Sequence, residues 1–89
     1  MRRIEYQMLE AIKAHRTFSN GNTNVTIDAN TAHVFLHGNH IASVVNDNVM
    51  VNIDTLRAYP TVTTKSRLRA LGVNVYTKNF ITFLNGEAI

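Results

Sequence analysis

The 89-residue chain predicts an α+β domain: an N-terminal helix, an antiparallel β-meander, a short second helix and a C-terminal β-hairpin. Three observations predict it. Apolar residues recur at the three-and-four spacing of a helix only near the start. From Asn22 the period shortens to two, with turn dipeptides interrupting the alternation. One cation-bearing segment with start and stop signals, YPTVTTKSRLRALG at 59–72, then separates the meander from a last pair of apolar runs.

The first helix is expected over 3–15. Ile4, Met8, Ala11 and Ile12 line one face, Leu9 widens it, and Glu5, Glu10 and Lys13 are expected outside it. Lys13, His15 and Arg16 complement the helix dipole at its end, whereas Arg2 and Arg3 oppose it at the start and are expected as solvated cations. The turn cluster SNGN at 19–22 closes this element. Val25 and Ile27 then alternate with polar residues in a strand that ends at DANT. In HVFLHGNHIASVVNDNVMVNI, reading Gly38-Asn39 and Asp47-Asn48 as two-residue loops gives two consecutive hairpins. That register sets His37 opposite His40, Phe35 opposite Ala42 and His33 opposite Val44 on one face, with Val34, Leu36, Ile41, Ser43 and Val45 on the other. The second loop sets Val44 opposite Val51 and Val45 opposite Met50. Both faces are then rich in apolar residues, and cover is expected on both, from helices, the C-terminal hairpin or a second subunit.

DTLRAYP reads as a connector or short helical turn that stops near Tyr59, because the residue before a proline is pushed out of helical geometry. Thr63 or Thr64 is the expected N-cap, Lys65 to Leu71 the helix with Leu68 and Leu71 buried, and Gly72 the left-handed residue that closes it. In the tail, Val73 and Val75, a turn at Thr77-Lys78-Asn79, and Phe80, Ile81, Phe83 and Leu84 form a hairpin that ends at Asn85-Gly86.

Length and composition bound what such a chain can do. It makes one domain, 1–89, that buries roughly 60 to 65% of its unfolded surface. Hydrophobic residues at 45% with charged residues at 17% mark a folded chain rather than a disordered one. There is no cysteine, so disulfides and thiolate metal sites are excluded and a reducing compartment is favoured. Glu5, Gln7 and Glu10 break the N-terminal apolar pattern, so neither a signal peptide nor a spanning helix is expected.

No catalytic constellation emerges. The serines stand outside any Gly-x-Ser-x-Gly elbow, the six acids form no spaced pair, and the four glycines stand singly. The chain is read as no enzyme, with no cofactor. Among the histidines, His33 lies four residues from His37 along one strand, about 13 Å at strand rise and too far to share an ion. No metal site is therefore expected.

Two surfaces remain as candidates. The first is the basic helix with its lead-in, where Arg57, Tyr59, Thr63, Thr64, Lys65, Arg67 and Arg69 are candidate anion- or partner-binding residues, since a helix N-terminus offers free amides to a phosphate. At about 100° per residue, Lys65 and Arg69 fall on one flank of the Leu68–Leu71 stripe and Arg67 on the other, as in cations bordering a buried face rather than one basic rail. A net charge of +3 permits polyanion binding without demanding it. The second is the hairpin tip, where His37, Gly38, Asn39 and His40 are candidate contacts.

HVFLHGNHIASV followed by YPTVTTKSRLRALGVNVYTKNFITFLNG resembles a group of small tailed-bacteriophage proteins. In these, a strand ending in a Leu-His-Gly-Asn turn precedes an aromatic-x-Thr-x-Thr-Thr-Lys/Arg-x-Arg-Leu segment. The resemblance covers residues 3 to 86; it departs at Tyr59, where the group often has tryptophan, and at Arg69, often asparagine, so it lends those two side chains no role. It brings no activity, and implies a phage-made protein working in the host bacterial cytoplasm. The expectation is a non-enzymatic accessory protein that binds a host or phage protein, and inhibits or redirects it, with no membrane partner. Nucleic-acid binding through the basic helix is the alternative, and homodimerisation through apolar sheet surface competes with a foreign partner.

Overall fold

A computed structural model describes all 89 residues. Helix α1 (Arg3–Lys13) leads into five strands, β1 (Phe18–Asn20), β2 (Thr23–Asp28), β3 (Thr31–Leu36), β4 (Asn39–Val45) and β5 (Asn48–Val51). Helices α2 (Ile53–Ala58) and α3 (Val62–Ala70) follow, then β6 (Val75–Lys78), β7 (Ile81–Leu84) and β8 (Glu87–Ala88). The first five strands form one antiparallel meander in chain order, and the last three form a second small sheet. The expected α+β order is thus present. Two strands are additional: β1, which pairs with β2 across the Gly21-Asn22 turn, and β8, which extends the last hairpin past Asn85-Gly86.

The meander register differs from the expected one. Leu36 pairs with Asn39, so the loop is His37-Gly38 rather than Gly38-Asn39, and Val45 pairs with Asn48, so the next loop is Asn46-Asp47. Both central residues of the first loop have positive φ, +51° at His37 and +79° at Gly38. A turn of that kind wants its glycine second, and the right-handed twist of the strands selects it. Phe35 then faces His40, and His37 does not. Between Val34 and Phe35 the register shifts by one residue, a β-bulge that places Ile41 as well as Ala42 in the core.

That slip changes the character of the sheet. Ala32, Val34, Leu36, Ile41, Ala42 and Val44 lie on the inner face, in one cluster with Met8 of α1, Leu56 of α2, Leu68 of α3, and Val75 and Leu84 of the second sheet. His33, Phe35, His40 and Ser43 share the outer face. The expected apolar character of both faces is therefore corrected to one apolar face: the bulge moves Ala42 and Val44 inward and leaves the mostly polar rows Thr26–His33–Ser43–Met50 and Asn24–Phe35–His40 on the other face, where Ser43 is itself buried. One core joins both sheets.

Helix α1 also departs from expectation. Glu5 is 1% exposed, inside the interface rather than outside it. Its Oε1 accepts the N–H of Arg2 at 3.0 Å at the helix start, while Oε2 accepts from Ser66 Oγ at 2.6 Å and Arg67 Nη1 at 2.7 Å. Burial alone would raise the Glu5 carboxyl. The bonds from Ser66, Arg2 and Arg67, together with the guanidinium charge, outweigh that and hold it below its ordinary value. No buried side-chain nitrogen or oxygen lacks a hydrogen-bond partner.

Candidate functional site

Helix α3 begins earlier than the sequence suggests. Its N-cap is Thr61, whose Oγ1 accepts the N–H of Thr64 at 3.1 Å, not Thr63 or Thr64. Pro60 keeps Tyr59 out of the helix, so Thr61 is the first residue free to cap. Thr64 is 2% exposed and its hydroxyl bonds that of Thr61 at 2.9 Å, so it belongs to the cap and the packing. Thr64, Arg67, Leu68 and Leu71 form an i, i+3, i+4, i+7 row facing inward, which explains the fate of Arg67. That side chain is 3% exposed, and besides Glu5 it donates from Nε to Thr23 Oγ1 at 3.0 Å and from Nη2 to Asn22 Oδ1 at 3.3 Å. As a site residue exposed to a partner, Arg67 is corrected to an internal tie between α1, α3 and β2.

The other cations of the segment are partly engaged. Lys65 Nζ donates to Thr77 Oγ1, and Arg69 Nη1 donates to the Val75 carbonyl at 3.1 Å, so both fasten β6 to α3. Arg57 sits 4.0 Å from Asp54, with both side chains largely in water, where such a pair contributes little. Thr63 is half-buried and Tyr59 is 50% exposed.

A cleft of about 220 Å³ brings parts of the two expected surfaces together. His37 and Asn39 of the β3–β4 hairpin form one wall, and Thr55, Tyr59, Thr61 and Thr64 the other. Gly38 is exposed at the tip. His40 is not part of that tip: the altered register points it across the outer face, where its ring centre lies 5.6 Å from that of His33 and 5.4 Å from Phe35. The histidines that meet are His33 and His40, not His37 and His40. They are two, and nowhere do three or more His, Asp or Glu side chains gather as metal ligands. A larger, shallow groove of about 500 Å³ lies at the opposite end of the sheet, beneath Leu9, Ile12 and Leu71.

The most exposed apolar feature was not among the expected sites. The β6–β7 loop is Asn79-Phe80, with φ of +51° and +64°, and Phe80 is 103% exposed at its tip. A bulky side chain in left-handed backbone is uncommon, since the second central position of such a loop usually holds glycine. Beside it, Lys78 pairs with the 47%-exposed Ile81, and Tyr76 stacks on Phe83 with ring centres 5.2 Å apart and planes 10° from parallel. Val75 and Leu84 point the other way, into the core. By the alternation of a strand, Tyr76, Lys78, Ile81 and Phe83 therefore share the outward face. The sequence signal was available in TKNFI, where an Asn-Phe turn lacks the glycine expected there.

No helix is long and apolar enough to cross a membrane. No curated protein and no solved structure matches this chain. A family model, that of the Kyanoviridae Gp96 protein, matches residues 1–89, so the chain belongs to that family of cyanophage proteins and is a small tailed-phage protein.

Proposed function

We propose that the protein is a non-enzymatic accessory factor that acts in the cytoplasm of the infected cell by docking on a host or phage protein through the tip and outward face of its C-terminal hairpin. One observation carries this reading: Phe80 is held in left-handed backbone with its ring wholly in water. The fold gains nothing from either. Left-handed geometry costs about 1 to 2 kcal/mol for a side chain of this kind, and exposed aromatic surface is what an interface core recovers on binding. Ile81, Tyr76 and Phe83 extend the same surface, and Lys78 adds a cation at its edge.

Nucleic-acid binding through the basic helix finds less support. Arg67 is buried on Glu5, Lys65 and Arg69 each donate to β6, and Thr61 already occupies the Thr64 N–H at the start of the helix. The test is a comparative pull-down from infected-cell lysate with the parent chain, Phe80→Asp and the double variant Lys65→Glu/Arg69→Glu, each with and without nuclease. Proteins retained by the parent and by the charge-reversed chain, but lost from Phe80→Asp, support the hairpin reading. Capture that survives Phe80→Asp yet disappears with nuclease or with charge reversal overturns it in favour of nucleic acid. Full burial of one phenylalanine contributes roughly 2 to 3 kcal/mol, so the purified partner should bind Phe80→Asp on the order of 30-fold or more weakly.

A further inference from the structure

A row of hydrogen bonds crosses the outer face of the five-stranded sheet, and its polarity can be worked out from one fixed point. Asn52, the N-cap of α2, accepts the N–H of Thr55 through Oδ1 at 3.2 Å, and its own N–H is fastened to the Ile41 carbonyl at 2.9 Å. A backbone N–H can only donate, so the oxygen end of the Asn52 amide is assigned by chemistry. The Nδ2 end, 3.2 Å from His40 Nδ1, is then the donor there, and Nδ1 is the bare ring nitrogen. The proton of neutral His40 sits on Nε2, which donates to Ser43 Oγ at 2.8 Å. The Ser43 hydroxyl hydrogen is left for His33 Nδ1 at 2.9 Å. Each step fixes the next, from helix cap to His33.

We propose that this row is a proton-operated latch on α2. A proton added to His40 lands on Nδ1, facing the two amide hydrogens of Asn52. Donor then meets donor, and the Asn52 amide satisfies the imidazolium by turning its oxygen toward it. Thr55 N–H loses its acceptor, and the first turn of α2 loosens. Histidine is the side chain that makes this change between about pH 8 and pH 5. The groups around His40 come from each neighbouring element: His33 and Phe35 of β3, Ser43 of β4, Met50 of β5 opposite Ser43, and Asn52. Only His33 among them has an ionisable side chain, and a charge there would oppose one on His40. The charged residues of α2, Asp54 and Arg57, face each other in solvent. No carboxylate in this set would hold an imidazolium in place without moving Asn52. Because Thr55 and the α2 C-cap Tyr59 both line the 220 Å³ cleft, the latch acts on one of its walls.

The latch is independent of partner docking and is tested on the free full-length chain by NMR at pH 7.5 and 5.5. The protection of the Thr55 amide, corrected for the intrinsic pH dependence of exchange, is expected to fall roughly five- to ten-fold at the lower pH, as loss of an N-cap entails. Its chemical shift should follow the titration of the His40 ring, while the Met8 amide in α1 keeps its protection. His40→Phe should remove the response. The proposal is overturned if Thr55 is equally protected at both values, if its shift follows the His33 ring instead, or if the response persists in His40→Phe. Should that variant fail to fold, the comparison of the two ring titrations in the parent chain decides alone.

Discussion

Arg67 and Glu5 each bury a formal charge, and each is tolerable only because the other is there. Removing one partner of such a pair costs about 3 to 5 kcal/mol, whereas replacing both with apolar residues of similar size is often neutral. Arg67→Ala is therefore expected to lower urea-unfolding stability by that amount, and the paired replacement Glu5→Leu/Arg67→Met by much less. Acid should act through the same carboxyl. Its folded value lies below the ordinary 4.5, so the stability it adds is fully present above about pH 4.5 and is lost as pH falls through the folded value. Urea midpoints measured between pH 7 and pH 3 should drop for the parent and stay flatter for the Glu5→Leu/Arg67→Met chain. Both residues were partly legible. Glu5 stands three and seven positions before Met8 and Ile12, and Arg67 three after Thr64, so an inward place was compatible with the spacing; yet the apolar stripe drawn through Ile4, Met8, Ala11 and Ile12 left Glu5 outside it, and the Leu68–Leu71 stripe left Arg67 on its flank. What the sequence did not disclose was that the two faces meet, since that depends on how α1 and α3 lie over β2.

Turns decided how much of each element was readable. The element order followed from periodicity, but each meander turn lies one residue earlier than expected, which moves every pairing beside it by two, because left-handed geometry at both loop positions favours Gly38 as the second residue rather than the first. The bulge at Ile41 had no signal of its own, and it alone determined that Ser43, rather than Ala42, faces outward. The same turn chemistry yields a prediction at Phe80. Phe80→Gly relieves a strained position and removes no packed side chain, so it should raise stability by about 1 kcal/mol in denaturant while weakening partner binding as strongly as Phe80→Asp. A chain that is stabilised but still binds normally would show that the ring is not the contact.

At the scale of the whole molecule, the two sheets are distinct in hydrogen bonding but not in packing. Val75 and Leu84 enter the same cluster as Val34 and Ala42, and Lys65 and Arg69 clasp β6 from α3. Unfolding should therefore be one cooperative transition, with far-UV circular dichroism and hydrogen exchange in β6 and β7 reporting the same free energy. An earlier transition confined to the hairpin would contradict a shared core. The candidate surfaces were legible to unequal degrees: charge marked the basic helix and glycine the His37 tip, yet the helix turned Arg67 inward, while the tip joined Tyr59 across a cleft. The ion pair between Glu5 and Arg67 spans 62 positions, and this bears on how the protein is made. A ribosome delivers Glu5 before the five-stranded meander and Arg67 only after it. Until then α1 cannot be sealed over β2 without stranding a carboxylate. The nascent chain must carry Met8 and Ala11 uncovered until then, and resistance to protease should arrive abruptly, once α3 has cleared the exit tunnel.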